Sequence, residues 1–330
     1  MKKSIMKKVL VLLLAMVLVF VMTACGNGGG DADGAAGDNP FVGSPDEVYY
    51  MVTFLAGIDY WVTCFEGMQD AAALFGVSVE YTGATTTDVA EQVQVLESVI
   101  AMQPAGIALT AVNAEALREP IDRAIAEGIA VIMFDSDSPE SNRPAYLSTG
   151  NFAAGEVAAE YLLGLIDGQG TVALLYTIGQ ENSESRVEGF KSWSAQHAPD
   201  LEFALVNTAG DTIAATNNLA AALQADENIV AVFCVDGIAG TAGPVAVQES
   251  GRGDEIRVLA FDVDSAVLDK VADGTIEATV AQGQYNMGFW SMVFLFFEVH
   301  GLSGDALPSF VDTGITIVTQ ENVDQFYVDN

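Results

Sequence analysis

Two acidic pentads stand out as residues able to do chemistry. Phe134-Asp135-Ser136-Asp137-Ser138 and Phe261-Asp262-Val263-Asp264-Ser265 lie 127 positions apart, each at the end of an apolar run. An Asp-x-Asp pair can hold Mg²⁺ or Mn²⁺ for phosphoryl or glycosyl transfer. It can cap a helix. It can also accept short, charge-assisted hydrogen bonds from a ligand. The first use finds no support around it: the chain has no Gly-rich phosphate loop, no HExxH and no Ser/His/Asp constellation. His197 and His300, the only histidines, fall in helical or helix-end contexts. The chain is therefore expected to be no enzyme and to carry neither metal nor cofactor. Capping accounts for Asp137, Ser138, Asp264 and Ser265, with Pro139 and Glu140 as a first helical turn. Asp135 and Asp262 lie further back toward the strands, and ligand contact accounts for them better.

The elements that must position these acids alternate almost without exception. Apolar strand-like runs at 49–57, 77–83, 106–112 and 129–137 are separated by segments of helical spacing, two of them opened by the capping residues Asp88 and Asn113. AYLSTGN (145–151) breaks the rhythm. A second series then follows, with strands at 171–178, 201–208, 229–236, 256–264 and 276–283. The expected fold class is α/β, with two similar lobes, each a parallel sheet with helices on both faces. Each pentad sits where the fourth strand of its lobe ends and the next helix is expected to begin. Ligands of parallel sheets bind at the carboxyl ends of strands, so two such lobes facing each other would grip one guest from both sides.

The ends of the chain bound its location. Four lysines in the first eight residues precede an apolar run of 14, Val9 to Met22, too short for a membrane span and suited to a signal peptide. Met22-Thr23-Ala24-Cys25-Gly26 looks like a bacterial lipobox, with Cys25 as the acylated residue. Residues 1–25 are read as the lipoprotein signal and 26–45 as a flexible tether, rich in Gly, Asp and Ala. Removing the leader lysines leaves 8 bases against 45 acids, a surface that repels nucleic acid. The expected product is an extracytoplasmic protein held to the cell membrane by lipid. Cys64 and Cys234 fall in different lobes and read as small buried residues.

The ordered set of motifs resembles the ribose/galactose-type sugar-binding proteins of ABC importers, with the type I solute-binding fold, from about Tyr49 to Tyr327. The motifs are Asp59-Tyr60-Trp61 with Glu66-Gly67, Phe134-Asp135-Ser136, Ser148-Thr149-Gly150-Asn151 before Gly155, Arg186-x-x-Gly189-Phe190, Val235-Asp236-Gly237, Phe261-Asp262, Ala278-Thr279-Val280-Ala281-Gln282, and the tail at 312–326. The resemblance implies three crossings between lobes, near Ser148–Asn151, Ala281–Gln284 and Asp312–Gly314. It divides the body into an N-lobe of 46–148 plus 284–311 and a C-lobe of 150–282 plus 313–330. It places Tyr60 and Trp61 as aromatics against a sugar ring and assigns hydroxyl recognition to Asp135, Ser136, Arg186, Asp236, Asp262 and Gln282. Asn151 is a further contact, with helix capping as its other reading. Relative to the ribose branch, Ser136 replaces Arg, Ile58 replaces Asn, Gly210 replaces an aromatic and Asp236 replaces Asn. Those departures suit a hexose, a polyol or another hydroxyl-rich ligand. The implied partners are that small molecule and the membrane subunits of an ABC permease, with the chain acting as a monomer. A sensory role, presenting a sugar, nucleoside or signalling molecule to a membrane receptor, satisfies the same residues.

Overall fold

A computed structural model gives the architecture and describes residues 39–304 and 307–327; the expected signal, lipobox, Cys25 and most of the tether lie outside the described residues. The first lobe opens with β1 (Val48–Thr53), α1 (Asp59–Phe75), β2 (Ser78–Gly83), α2 (Val89–Ala101), β3 (Gly106–Leu109), α3 (Ala114–Ala126), β4 (Ala130–Phe134) and β5 (Tyr146–Ser148). The second follows with α4 (Asn151–Leu163), β6 (Thr171–Tyr176), α5 (Glu181–His197), β7 (Glu202–Asn207), α6 (Thr212–Ala225), β8 (Ile229–Cys234), α7 (Gly237–Glu249), β9 (Arg257–Phe261), α8 (Ser265–Ala272) and β10 (Ala278–Gln282). The chain then returns to the first lobe with α9 (Gln284–Val299) and β11 (Phe310–Asp312), and ends in the second with β12 (Ile315–Val318).

The two sheets have the same order: β11-β5-β4-β3-β1-β2 and β12-β10-β9-β8-β6-β7. Every pairing is parallel except β10 with β12. The strands are apolar runs because helices cover both faces of each sheet. Two cores therefore form per lobe, one around Trp61, Phe134 and Phe296 and its opposite around Leu96, Leu109 and Ile121 in the first. Asp88 and Asn113 cap α2 and α3 as their sequence suggested, accepting from the Glu91 and Ala116 N–H groups, both at 2.9 Å. Cys64 and Cys234 are buried and free, one in each lobe.

The segment after the first pentad departs from expectation. Residues 135–145 form a loop and not a helix. Pro144 pushes Arg143 away from helical geometry, and Arg143 instead closes the loop by pairing with Asp137 through Nε at 2.8 Å. Ser138 donates its hydroxyl to the Ala114 carbonyl at 2.7 Å, so it ties the loop to α3 and caps nothing. In the second pentad Asp264 does occupy the cap position of α8, but its side chain makes no capping bond.

The three crossings are bonded to one another. The Thr149 hydroxyl donates to Gln282 Oε1 at 2.7 Å, joining the first to the second. Asp312 Oδ1 accepts from the Gly150 and Gly314 N–H groups, both at 2.9 Å, joining the first to the third. Asn286 Nδ2 donates to the Thr313 carbonyl at 3.1 Å, joining the second to the third. Gly283 lets two of these strands touch: a Cβ there would stand 2.2 Å from the Thr313 carbonyl oxygen.

Each lobe also contains one helix pair packed backbone to backbone. A Cβ on Gly288 of α9 would fall 1.7 Å from the Cys64 carbonyl oxygen of α1, and one on Gly189 of α5 would fall 1.9 Å from that of Phe152 on α4. Backbone cannot yield as a side chain can, so the helices must separate. Gly288→Ala and Gly189→Ala should each cost about 1–3 kcal/mol or more, read as a lower urea midpoint at unchanged slope. A midpoint equal to that of the unsubstituted protein would show that these crossings are loose.

Candidate functional site

The two pentads do the same thing to the backbone. Asp135 and Asp262 are non-glycine residues in the left-handed region, at φ 60° and 70°. Such a conformation costs on the order of 1–3 kcal/mol and persists only where neighbours enforce it. Here they do. The Asp135 N–H donates to the Leu147 carbonyl on β5 and the Asp262 N–H to the Val280 carbonyl on β10, both at 2.9 Å. The Asp135 carbonyl accepts from Ser148 and Tyr146 hydroxyls, and the Asp262 carbonyl from the Thr279 hydroxyl at 2.6 Å. These bonds hold each aspartate in its left-handed turn just beyond the end of its strand.

From the first lobe, Asp135 is ringed by hydroxyls. Tyr60 of α1 donates to Oδ1 at 2.8 Å, while Ser136 and Thr110 donate to Oδ2 at 3.0 and 3.3 Å. Burial pushes the Asp135 carboxyl up, against these donors and Arg186, which pull it down. Burial, with Asp135 beside it, pushes the Tyr60 phenol well up, so it remains a donor. Trp61 does not join this group. It is 2 % exposed, donates Nε1–H to the Phe54 carbonyl at 2.8 Å and packs edge-on against Phe54 and Phe134. Adjacent residues on a helix point about 100° apart, so with Tyr60 turned to the seam Trp61 must enter the core. Its part is to support Tyr60, whose ring it meets at 4.7 Å.

From the second lobe, Asp262 Oδ1 accepts from Gln282 Nε2 at 2.7 Å, and Gln282 Oε1 in turn holds Thr149. Arg186 of α5 is 3 % exposed. Its Nε donates to Asn151 Oδ1 at 2.8 Å and its Nη1 to the Val235 carbonyl at 3.0 Å, with the guanidinium carbon 3.8 Å above the Phe261 ring. It makes no ion pair with Glu181 or Glu188. Asn151 is the first helical residue of α4 rather than its cap, and its side chain serves Arg186. Asp236 is committed to the backbone: Oδ1 accepts the Ala239 N–H as cap of α7 and Oδ2 the Thr177 N–H, both at 2.8 Å. Its contribution to the seam is its charge, which helps hold Arg186 protonated against burial.

The structure thus brings Tyr60, Asp135, Ser136, Asn151, Arg186, Asp262 and Gln282 together, with Asp236 behind and Trp61 withdrawn. Thr110 and Thr149 belong to the group and were not singled out from sequence. The polar residue ending the GIALT run was the signal for Thr110. The cluster sets carboxylates from both lobes within the field of one guanidinium, and such groups can make charge-assisted hydrogen bonds to hydroxyls. Among the described residues no set of three His, Cys, Asp or Glu is placed to hold a metal ion.

The charge balance has a measurable consequence. Burial, with the Asp264 and Asp135 charges adding to it, pushes the Asp262 carboxyl from 3.8 up to about 6, although Arg186 and Gln282 oppose this. Between those values folded Asp262 binds more proton than unfolded Asp262, so it lowers stability as pH rises through that window. The gap is worth about 3 kcal/mol above pH ~6. Asp262→Asn should therefore unfold at higher denaturant than the unsubstituted protein at neutral pH, and the advantage should vanish by about pH 4. A difference independent of pH would contradict the burial argument.

The same architecture appears in known proteins. Residues 49–299 match the model of the periplasmic binding protein domain. An arabinose-binding protein of known structure from Geobacillus stearothermophilus is 42% identical, with 86% of this chain and 100% of that one covered at a TM-score of 0.83. The sugar-binding protein of a sugar ABC transporter from Bacillus halodurans is 40% identical, with 85% and 100% covered and a TM-score of 0.83. A xylose/arabinose-binding protein from Sulfolobus acidocaldarius is 23% identical over 303 residues, 86% of this chain and 74% of that protein. With two matching sheets, three crossings and most of its length within that domain, the chain belongs to the periplasmic binding protein family.

Proposed function

We propose that this protein captures a monosaccharide between its lobes and delivers it to the permease of an ABC transporter, and that it does no chemistry on its cargo. The carrying observation is the pair of left-handed carboxylates, one from each lobe, facing a single guanidinium. An aldopentose of the arabinose class is the first candidate, because the 42% identical relative binds arabinose. That differs from the hexose or polyol suggested by the sequence departures.

The proposed recognition follows from the donors and acceptors. Vicinal hydroxyls of the guest donate to Asp135 and Asp262, and Arg186 supplies Nη2, which takes no part in its bonds to Asn151 and Val235, to a ring or hydroxyl oxygen. Tyr60 offers its aromatic ring to the sugar's apolar C–H face. A guest lacking one hydroxyl leaves a buried charged group unpaired and is rejected. The moving units are 46–148 with 284–311 and 150–282 with 313–330, hinged at the bonded crossings; ligand shifts the population to the closed form that the permease reads. Export, acylation at Cys25 and action as a monomer complete the reading.

Calorimetric titration with L-arabinose, D-ribose and D-galactose should give one saturable site for at least one of them. Asp135→Ala and Asp262→Ala should weaken that binding ~30-fold or more, the scale of leaving a buried polar network unpaired. Trp61→Phe should leave affinity within a few-fold while costing about 1–3 kcal/mol of stability, because the Phe54 carbonyl loses its donor. Binding that survives both aspartate substitutions, or that is lost with Trp61→Phe alone, would refute the assignment.

A further inference from the structure

A further space lies along the seam beside the crossing at Gly283, adjoining the main group through Tyr60 and Gln282, which also line it. A cavity of about 380 Å³ runs between Glu66 on α1, Tyr285 on α9 and the C-terminal Phe326 and Tyr327. A smaller one of about 20 Å³, room for one water-sized group, lies between Asp59 of the first lobe and Asp264 of the second. The two share Thr63, Val263 and Gln284 and so form one elongated space. Gln284 is 5 % exposed, lines both parts, and its side-chain amide makes no hydrogen bond among the described residues. Its amide atoms meet the cavity surface rather than being sealed in protein, so they are free to pair with a guest.

The lining has a consistent chemistry. It carries three carboxylates, Asp59, Asp264 and Glu66, and no Lys, Arg or His. The carboxylates are spread along the space rather than gathered at one point: two flank the narrow end and one lies at the wide end. Aromatic faces stand between and beyond them. Burial, and then the nearby Asp59, push the Asp264 carboxyl up, so this end lacks a positive partner. A metal ion would need its oxygens converging on one point. An ammonium head fits the narrow end, where it donates N–H groups to the two carboxylates and to the Gln284 side-chain carbonyl. A methylene stem packs on Tyr285 and Phe326, and a second ammonium meets Glu66.

We propose that this seam cavity binds a linear aliphatic diamine or polyamine, and that the amine tightens ligand binding in the main cleft. The second half rests on the proposed closure of the lobes. Asp59 and Glu66 belong to the first lobe, Asp264 and Tyr327 to the second, so an amine touching both neutralises repulsion across the seam and favours the closed form. Coupling of this kind is reciprocal.

Spermidine is the probe, titrated calorimetrically into the intact protein in about 0.15 M salt, where exposed charges more than ~8 Å apart are screened. The expected result is one saturable site. Glu66→Gln combined with Asp264→Asn, both outside the hydrophobic cores, should weaken it tenfold or more, and Gln284→Ala should weaken it several-fold, with unfolding midpoints retained. Several equivalents bound without saturation would show condensation on an acidic surface and overturn the site. So would an affinity unchanged in the double variant, or displacement by Mg²⁺ at equal concentration. These measurements need no sugar, so they stand or fall apart from the main cleft. Saturating L-arabinose should then tighten spermidine binding several-fold; equal affinity with and without a sugar that itself binds would overturn the coupling alone.

Discussion

The cleft depends on keeping one guanidinium buried and charged. Taking Arg186 out of water costs several kcal/mol, and burial pushes its guanidinium below the usual arginine value. The side chain is held by Asn151, by the Val235 carbonyl and by the Phe261 ring beneath it. The fields of Asp262, Asp135 and Asp236 supply the rest. Two of those acids approach from opposite lobes, so Arg186 is the charge on which the lobes agree. Its loss would leave the like charges of Asp135 and Asp262, which already act on each other, without the cation that offsets them.

The repeated architecture solves one problem twice but divides the labour. Both lobes end their fourth strand in a left-handed aspartate held by the neighbouring edge of the sheet. In the first lobe, three hydroxyls donate to the carboxylate, which fixes its orientation and leaves it acceptor capacity for a guest. In the second, Gln282 holds only Oδ1, and Oδ2 takes no hydrogen bond among the described residues. The second carboxylate is therefore the more costly to bury and the more open to a donor. In the proposed site, that asymmetry would be an exchange of stability for function.

Much of this was legible in the chain itself. The alternation of apolar runs and capped helical segments marks the two sheets, and the repeated Phe-Asp pair marks their matched strand ends. What was not legible needed three-dimensional partners. Ser138-Pro139-Glu140 reads as a helix start, yet Pro144 and the Asp137–Arg143 pair turn that stretch into a loop. Tyr60 and Trp61 are chemically alike and adjacent; only the turn of α1 decides which faces the seam. Asp236 sits at a strand end as a ligand group would, but two backbone N–H groups claim its oxygens. The left-handed backbone of Asp135 and Asp262 leaves no trace in residue type, since the bonds enforcing it come from the adjacent strands β5 and β10.

The crossings explain how a site shared by two bodies keeps its geometry. A hinge of three independent strands would let the lobes twist as well as open. Here Thr149 ties to Gln282, Asp312 to Gly150 and Gly314, and Asn286 to Thr313, so the strands act as one bundle. Gln282 belongs to this bundle and also to the site, through Asp262. A force that reorients Asp262 is therefore transmitted to the first crossing through two hydrogen bonds. Conversely, any rotation of the lobes that strains the Thr149–Gln282 bond alters the donor available to Asp262. Under the proposed opening and closing of the lobes, hinge angle and acceptor strength are linked through one amide side chain, which bonds directly to both Thr149 and Asp262.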